Sequence, residues 1–488
     1  METVHVNRRD FLCVMSAACA GGLMAEMGGA EESIAIRVGI GREDITPPLG
    51  VSLAGHMNDR KARRVHDPLY ARCIAIESGR VRAAIVTVDL CMVSCEVFDT
   101  VREVVRQRCG IPTDHLFLSA THTHSGPVVT PIFQSDPDPE YVKALPERIA
   151  DAVEKAVRTL EPAVFGFGSG SVPDEVFNRR WFVVPELLQP DPFGRTSDRV
   201  RMNPPQGHRG LICPAGPTDP EVTVWGFKRT DGSPLALLAC YALHYVGGVE
   251  DGAVSADYFG RFCAMVEDAF ARESGGRPVL AMLANGTSGD INNINWPGHP
   301  ATYPPYAKME SVARKVADEA LRVYGSDIWN TRNIALKAGM LEAEVGIRKP
   351  ASDEVAKARD KLQTVGAQNL KTLPEIYARE TVLLAEYPEK VRLPLYGLVL
   401  GDACVVGIPC EAFCRIGLTI KRASPFAGTM VIGLANGYYG YLPTAEQHLL
   451  GGYETWRARS SYLAPDADET TLQAIWSLFE RLRGIDFQ

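Results

Sequence analysis

Two histidines stand two residues apart in Thr121-His122-Thr123-His124-Ser125-Gly126-Pro127, directly after the apolar run 115–120. Side chains at i and i+2 of an extended segment share a face. Two neutral imidazoles converging there are candidate ligands for a transition metal, most commonly zinc. A pair of loop histidines satisfying backbone groups would leave the same short pattern. A third histidine, His244, follows the apolar run 235–243 and precedes Gly247-Gly248, a place where a lone histidine is usually a satisfied core residue. Glu411 follows the run 405–410, and a carboxylate leaving a buried strand needs a partner such as a cation. The alternative for Glu411 is the acidic residue that a helix start favours, because the chain from Ala412 onward reads as helical. Finally, Gly433 to Thr444 packs Tyr438, Tyr439 and Tyr441 among glycines where the backbone must turn tightly, an arrangement found more often in packing surfaces than among ligands.

At these residues the sequence resembles the neutral ceramidases, zinc-dependent amidases that cleave the N-acyl bond of ceramide. The resemblance runs from Val38-Gly39-Ile40-Gly41-Arg42-Glu43-Asp44-Ile45-Thr46-Pro47-Pro48 to Tyr453-Glu454, and His122-Thr123-His124-Ser125-Gly126-Pro127 is close to a family signature. It implies that His122, His244, Glu411 and Tyr441 ligate zinc. It implies further that His124 stands beside the zinc ligands without binding the metal, that Arg179 in Asn178-Arg179-Arg180 faces the substrate, and that Tyr453 is an active-site tyrosine. Two departures stand out. The family serine in Gly-Asp-x-Ser-Pro-Asn is replaced by Asn292 in Gly289-Asp290-Ile291-Asn292-Asn293, so a serine nucleophile is not available there. The chain also ends soon after the tyrosine loop, with a helical tail over 469–483, so the C-terminal β-sandwich of the family is expected to be absent.

The chemistry implied by the resemblance does not need the serine. Zinc with three or four protein ligands and an open position lowers the pKa of a bound water to about 7. Hydroxide can then attack an amide or ester carbonyl. His124, Tyr453 and Arg179 are candidate donors to the developing oxyanion, and a histidine is suited to protonate the leaving amine. The expected function is a zinc-dependent, ceramidase-like amide hydrolase acting on a small-molecule or lipid amide, a lipid substrate implying peripheral membrane contact. Esters, lactones and N-acylated sugars are rival substrates. A catalytically silent binding protein of the same fold is the rival from another class, and retention of all four ligand positions argues against it.

The elements that would position these residues alternate apolar strands with amphipathic helices. Helices are predicted over 97–108, 140–160, 258–272, 306–324, 352–364 and 412–422, and strands over 71–76, 83–88, 116–119, 234–243, 279–284, 397–400, 404–408 and 429–434. This predicts an α/β fold of mixed sheets flanked by helices in a single catalytic domain, 31–488. The Pro-rich segment 183–217 lacks periodicity and reads as a long loop over the site. Pro68-Leu69-Tyr70, a strand, a helix, a strand and the histidine loop are echoed by Pro394-Leu395-Tyr396 and the elements leading to the tyrosine loop. Two related α/β halves, each delivering ligands from strand C-termini, would explain the echo; so would chance recurrence of strand-helix-strand units.

Composition excludes other classes. With 51 Lys and Arg against 59 Asp and Glu the net charge is −8, and no basic run forms a nucleic-acid footprint. The basic cluster Arg60-Lys61-Ala62-Arg63-Arg64 reads as a solvated loop. Cysteines such as Cys91, Cys240, Cys404 and Cys410 lie in apolar runs, as small buried hydrophobes do. No pair has Cys-x-x-Cys spacing, although disulfides are compatible with export. Asp290, Asn292, Asn293 and Asn295 crowd one loop, a pattern of turn chemistry more than of a calcium site. The N-terminus, Asn7-Arg8-Arg9-Asp10-Phe11-Leu12 followed by an Ala- and Gly-rich apolar run, reads as a twin-arginine signal peptide over 1–30, directing the protein to the periplasm or outside the cell. The run falls short of the about 20 residues that span a bilayer, and Cys19 stands in a poor lipobox that leaves a lipoprotein form open.

Overall fold

The computed structural model describes residues 36–330, 334–366 and 370–484, and within them one arrangement of elements occurs three times. The expected signal peptide over 1–30, with Cys19, lies outside the described residues. In the first unit β1 (Ile36–Asp44), β2 (Tyr70–Ser78) and β3 (Val81–Val88) form an antiparallel meander; α1 (Cys95–Cys109) then crosses to β4 (Leu116–Ala120), parallel to β3, and α2 (Pro139–Arg158) packs back over β1 and β2. The second unit repeats this with β5 (Glu161–Ser171), β6 (Glu221–Arg229), β7 (Pro234–Tyr241), α3 (Asp257–Ala271), β8 (Leu280–Asn285) and α4 (Ala307–Tyr324). The third has β9 (Leu336–Gly346), then two inserted helices α5 (Ser352–Val365) and α6 (Leu373–Leu384), then β10 (Lys390–Leu400), β11 (Ala403–Gly407), α7 (Cys414–Ala423), β12 (Gly428–Ile432) and α8 (Ala467–Arg483). The echo read in the sequence is thus one of three, not of two.

β1 pairs antiparallel with β5, so the first two units share one sheet in the order β8-β7-β6-β5-β1-β2-β3-β4, to which Trp329–Asn330 adds a ninth strand beside β5. The third unit forms a separate four-stranded sheet, β9-β10-β11-β12. The two sheets face each other across a common core, in which Ile74, Phe117, Trp225 and Leu238 of the large sheet meet Leu398, Val405 and Met430 of the small one. Alternate residues on the same strands point to the helices: Cys73 and Ala75 toward α1 and α2, Leu237 and Tyr241 toward α3 and α4. Strands covered on both faces need apolar residues at every position, which is why they read as continuous hydrophobic runs. Each buried Leu, Val or Phe contributes about 1.5–3 kcal/mol.

Four strands that hydropathy does not reveal are β1, β5, β6 and β9, and glycine interrupts each of them. A Cβ on Gly39 or Gly41 would collide with the carbonyl oxygens of Ala156 or Ala152 in α2, and one on Gly170 with the Glu319 carboxylate of α4. The glycines let a helix lie directly on the sheet, a requirement of tertiary packing that a strand pattern does not carry. Helix limits are local: Asp138 accepts from the Tyr141 amide at 2.9 Å to cap α2, with Pro139 in its first turn, and Gly110 ends α1 at φ 67°. The segment 183–217 is not a structureless loop, because Arg180–Val183, Val200–Met202 and Leu211–Pro214 pair into a small sheet whose edge reaches the site. All ten cysteines among the described residues are free thiols.

Candidate metal centre and active site

The candidate ligands and several of their neighbours follow the C-terminal ends of the third and fourth strands of the units, whereas Arg179, Tyr453 and Glu454 come from other loops. Cys91 follows β3, His122 and His124 follow β4, His244 follows β7, Gly289 follows β8, Glu411 follows β11, and Tyr438 and Tyr441 follow β12. Parallel strand ends leave a crevice at such switch points. His122 occupies a left-handed backbone conformation, φ 76°, held by its amide bonding the Leu90 carbonyl at 2.8 Å. A non-glycine residue there carries strain of about 1–3 kcal/mol and is typical of sites whose surroundings over-determine them.

His122 Nδ1 donates to the Cys91 carbonyl at 2.7 Å and His244 Nδ1 to the Ser288 carbonyl at 3.1 Å. These bonds fix both tautomers and leave the Nε2 lone pairs outward, where they face each other at 3.0 Å. Glu411 Oε2 lies 3.4 Å from His122 Nε2 and 3.8 Å from His244 Nε2, is buried, and has no hydrogen-bond partner among the described residues. Two lone pairs and a carboxylate oxygen pointing at one spot repel unless positive charge sits between them. Burial opposes a charge on His122, but the neighbouring Cys91 and Glu411 outweigh it and raise its pKa well above the ordinary value. Burial, reinforced by His122, holds His124 and His244 well below theirs. Burial likewise opposes ionisation of Glu411, yet His122 and Arg179 prevail and its pKa lies below the usual carboxylate value. A proton on His122 Nε2 could serve His244 but would leave Glu411 Oε2 unpartnered, whereas a metal ion answers all three donors.

His122, His244 and Glu411 present ligand atoms within 4.8 Å of one another; His124 does not join that set and groups instead with Cys91 and His122. Glu411 does not begin a helix. It lies in the two-residue strand Glu411–Ala412, and parallel pairing with Tyr441–Leu442 sets Tyr441 beside it. Tyr438 donates to the other Glu411 oxygen at 3.1 Å. His124 Nε2 sits 3.1 Å from His122 Nε2, and its buried Nδ1 has no partner among the described residues. Tyr245 stacks on the His124 ring with centroids 3.7 Å apart, and Gly55 lies directly against that ring. Arg60 is not solvated as expected: its guanidinium donates to the His124 carbonyl at 2.6 Å and to that of Ala54 at 3.0 Å.

Arg179 is buried at the centre of the site. It donates to Glu454 at 2.8 Å, to the Gly289 carbonyl at 2.7 Å and to the Tyr441 hydroxyl at 3.1 Å, with Nη1 3.5 Å from His244 Nε2. Glu454, fully buried, also receives Arg180 at 2.6 Å. Sequence reasoning missed Glu454, although two adjacent arginines entering the interior demand an anion. Tyr453 lines the same cavity, its ring centroid 5.8 Å from that of Tyr441. Asn292 does not line the cavity; its Oδ1 accepts from the Asn293 amide at 2.6 Å and its Nδ2 donates to Asn203 at 3.4 Å. Asp290 is tied by Asn178 at 2.7 Å and the Cys414 amide at 2.8 Å.

This cavity, about 230 Å³, is bordered by donors from all three units. Residues 36–301, more than half the chain, match the family model described as neutral/alkaline non-lysosomal ceramidase, N-terminal. The protein belongs to that family and is by class a hydrolase. Among its relatives is the neutral ceramidase of Pseudomonas aeruginosa, 23% identical over 502 aligned positions that cover 88% of this chain and 70% of that protein. The crystal structure of neutral ceramidase from Pseudomonas aeruginosa shares the fold with a TM-score of 0.69 at 19% identity, covering 92% of this chain and 75% of that one. A ceramidase complexed with C2 superposes with a TM-score of 0.67 at 19% identity, covering 92% and 76%.

Proposed function

We propose that this protein is an exported, zinc-dependent amidase that hydrolyses the N-acyl bond of a ceramide-like substrate. The observation that carries the reading is the pair of Nε2 lone pairs of His122 and His244 facing each other at 3.0 Å beside the unpartnered Glu411 oxygen. Two nitrogen ligands of a tetrahedral zinc stand roughly 3.3 Å apart. Tyr441 offers its oxygen as a fourth donor; burial and Glu411 keep its hydroxyl proton on, raising the pKa well above the ordinary value against the pull of Arg179, which donates to that oxygen. Bound zinc would supply the acidity that makes water a nucleophile near neutral pH.

The remaining work falls to the chain. Arg179, locked by Glu454 and the Gly289 carbonyl, holds its donors in a fixed orientation toward a developing oxyanion, where preorganised donors contribute most. Tyr453 adds a hydroxyl at the cavity wall. His124 lies beside the candidate ligands as the proton carrier between water and the leaving amine; burial and His122 keep it neutral and weaken it as a base, so its role depends on its position next to them. Residues 1–30 direct export by the twin-arginine route, which carries folded protein and so suits loading the metal first; fused to a reporter exported only when folded, they should support transport, and Arg8→Lys with Arg9→Lys should stop it. The central test is metal analysis with an amide assay. Purified protein should carry about one zinc per chain, as such ligand sets do, and lose turnover of N-acyl amines to chelators. Metal-free protein with full, chelator-insensitive activity would refute the assignment.

A further inference from the structure

Glu411 offers two oxygens, and the structure treats them differently. Oε2 faces the Nε2 atoms of His122 and His244 at 3.4 and 3.8 Å and has no hydrogen-bond partner among the described residues, whereas Oε1 accepts from the Tyr438 hydroxyl at 3.1 Å. The last torsion of a glutamate is broad and roughly two-fold, so the side chain by itself selects neither oxygen. Tyr441, the other tyrosine beside this carboxylate, is a candidate ligand in its own right, which leaves Tyr438 as the outer donor. The loop that carries Tyr438 is held on both sides. Leu434 takes φ 51° and Asn436 φ 69°, left-handed conformations that are strained for leucine and persist where the surroundings over-determine them. Asn436 is fully buried; its amide donates to the Leu118 carbonyl of β4 at 2.7 Å, and its Oδ1 accepts from the Leu118 amide at 3.0 Å and from Arg102 of α1 at 2.8 Å. On the far side the Tyr439 amide bonds the carbonyl of Pro409, two residues before Glu411, at 2.8 Å. Donor and acceptor therefore stand on one clamped frame.

We propose that Tyr438 is a positioning residue of the metal centre, its hydroxyl tying one oxygen of Glu411 so that the other alone is presented to the ion. The inference rests on the zinc reading. His122 and His244 are oriented by backbone carbonyls, which no substitution removes. Glu411 is oriented by a side-chain hydroxyl, which Tyr438→Phe deletes as a single atom while the ring and the loop stay. Without that bond the carboxylate is free to turn or to offer both oxygens, and Oε1 is left without its donor in a buried site. Removing such an outer hydrogen bond typically costs about ten- to a hundredfold in metal affinity or activity.

The test is a zinc titration of the purified protein against a chromophoric chelator, which reads affinity without turnover. Tyr438→Phe should bind zinc about tenfold more weakly than wild type, or weaker still, while unfolding at nearly the same urea concentration. Tyr439→Phe removes a hydroxyl from the same loop outside the cavity and should bind as wild type does. With cobalt in place of zinc, the visible spectrum of Tyr438→Phe should differ from wild type in position or intensity, because the carboxylate meets the ion differently; that of Tyr439→Phe should not. Equal zinc affinity, an unchanged cobalt spectrum, or the same weakening in both variants would each overturn the role of Tyr438. A wild type that takes up no zinc would sink the metal reading and this proposal together. Zinc held tightly by wild type and weakly by Tyr438→Phe, with no amide turned over, would sustain the proposal and sink the amidase reading alone.

Discussion

Gly55→Ala should silence the enzyme while leaving its metal in place. Gly55 lies at φ 91°, and a Cβ there would overlap Cβ, Cγ and Nδ1 of His124. Carbon atoms need about 3.5–4.0 Å between them, so the imidazole must retreat by more than about 1 Å. Tyr245 already fills one face of the ring at a centroid distance of 3.7 Å, and Arg60 holds the His124 carbonyl, so the retreat has to come from ring rotation or a loop shift. Misplacing a reacting group by about 1 Å costs about a hundredfold in rate, and an alanine at positive φ costs about 1–2 kcal/mol of stability. The assay is kcat on the best amide beside zinc content and the denaturant midpoint. The expected pattern is kcat down about a hundredfold, about one zinc retained, and a modest loss of stability. Activity within a few fold of wild type would show that His124 does not act in the reaction, and loss of zinc would show that it is a ligand.

Three further outcomes follow from the same geometry. His122→Ala and His244→Ala should lose metal and activity together, whereas His124→Ala should keep most of its metal and lose turnover; equal metal loss in all three by metal analysis would refute the division of roles. Glu454→Gln leaves Arg179 and Arg180 without their buried counter-charge and should destabilise the protein by about 3–5 kcal/mol, read as a lowered urea midpoint; an unchanged midpoint would contradict the pairing described. Burial raises the Asp257 carboxyl to about 6 despite backbone donors from Tyr258, Gly247 and Val246. Between its unfolded value near 4 and about 6 the folded state therefore holds more protons, and the contribution of Asp257 to stability falls as pH rises through that window, by about 2–3 kcal/mol. Wild type should accordingly lose stability relative to Asp257→Asn between pH about 4.5 and 6.5, and parallel curves would exclude the shift.

Part of the site was legible because five of its residues follow apolar runs. His122, His124, His244, Glu411 and Tyr441 all follow buried strands whose hydrophobicity marks them, and the structure brings all five to one cavity. What was illegible depended on distant parts of the chain. The glycines of β1 and β5 make room for α2 and α4, so the very residues that permit close packing erase the strand signal that would have exposed the second repeat. Glu454 follows a quoted tyrosine yet gains meaning only from Arg179 and Arg180, far away in sequence. Arg60 looked like part of a solvated basic stretch because nothing nearby in sequence announces the His124 carbonyl it serves. Helix α6 was overlooked as well, although Glu375 reaching back to the Thr372 amide at 3.1 Å is a start signal.

The threefold construction gives the ligand set a temporal order. A chain emerging from the ribosome finishes the first two units, and with them His122 and His244, before Glu411 and Tyr441 have been made. The nascent chain thus offers two imidazoles without the carboxylate that completes the proposed set, and firm ion uptake by that set would wait until the small sheet has docked against the large one. On the proposed ligand set, occupancy by an ion would mark only chains in which every unit has reached its neighbours.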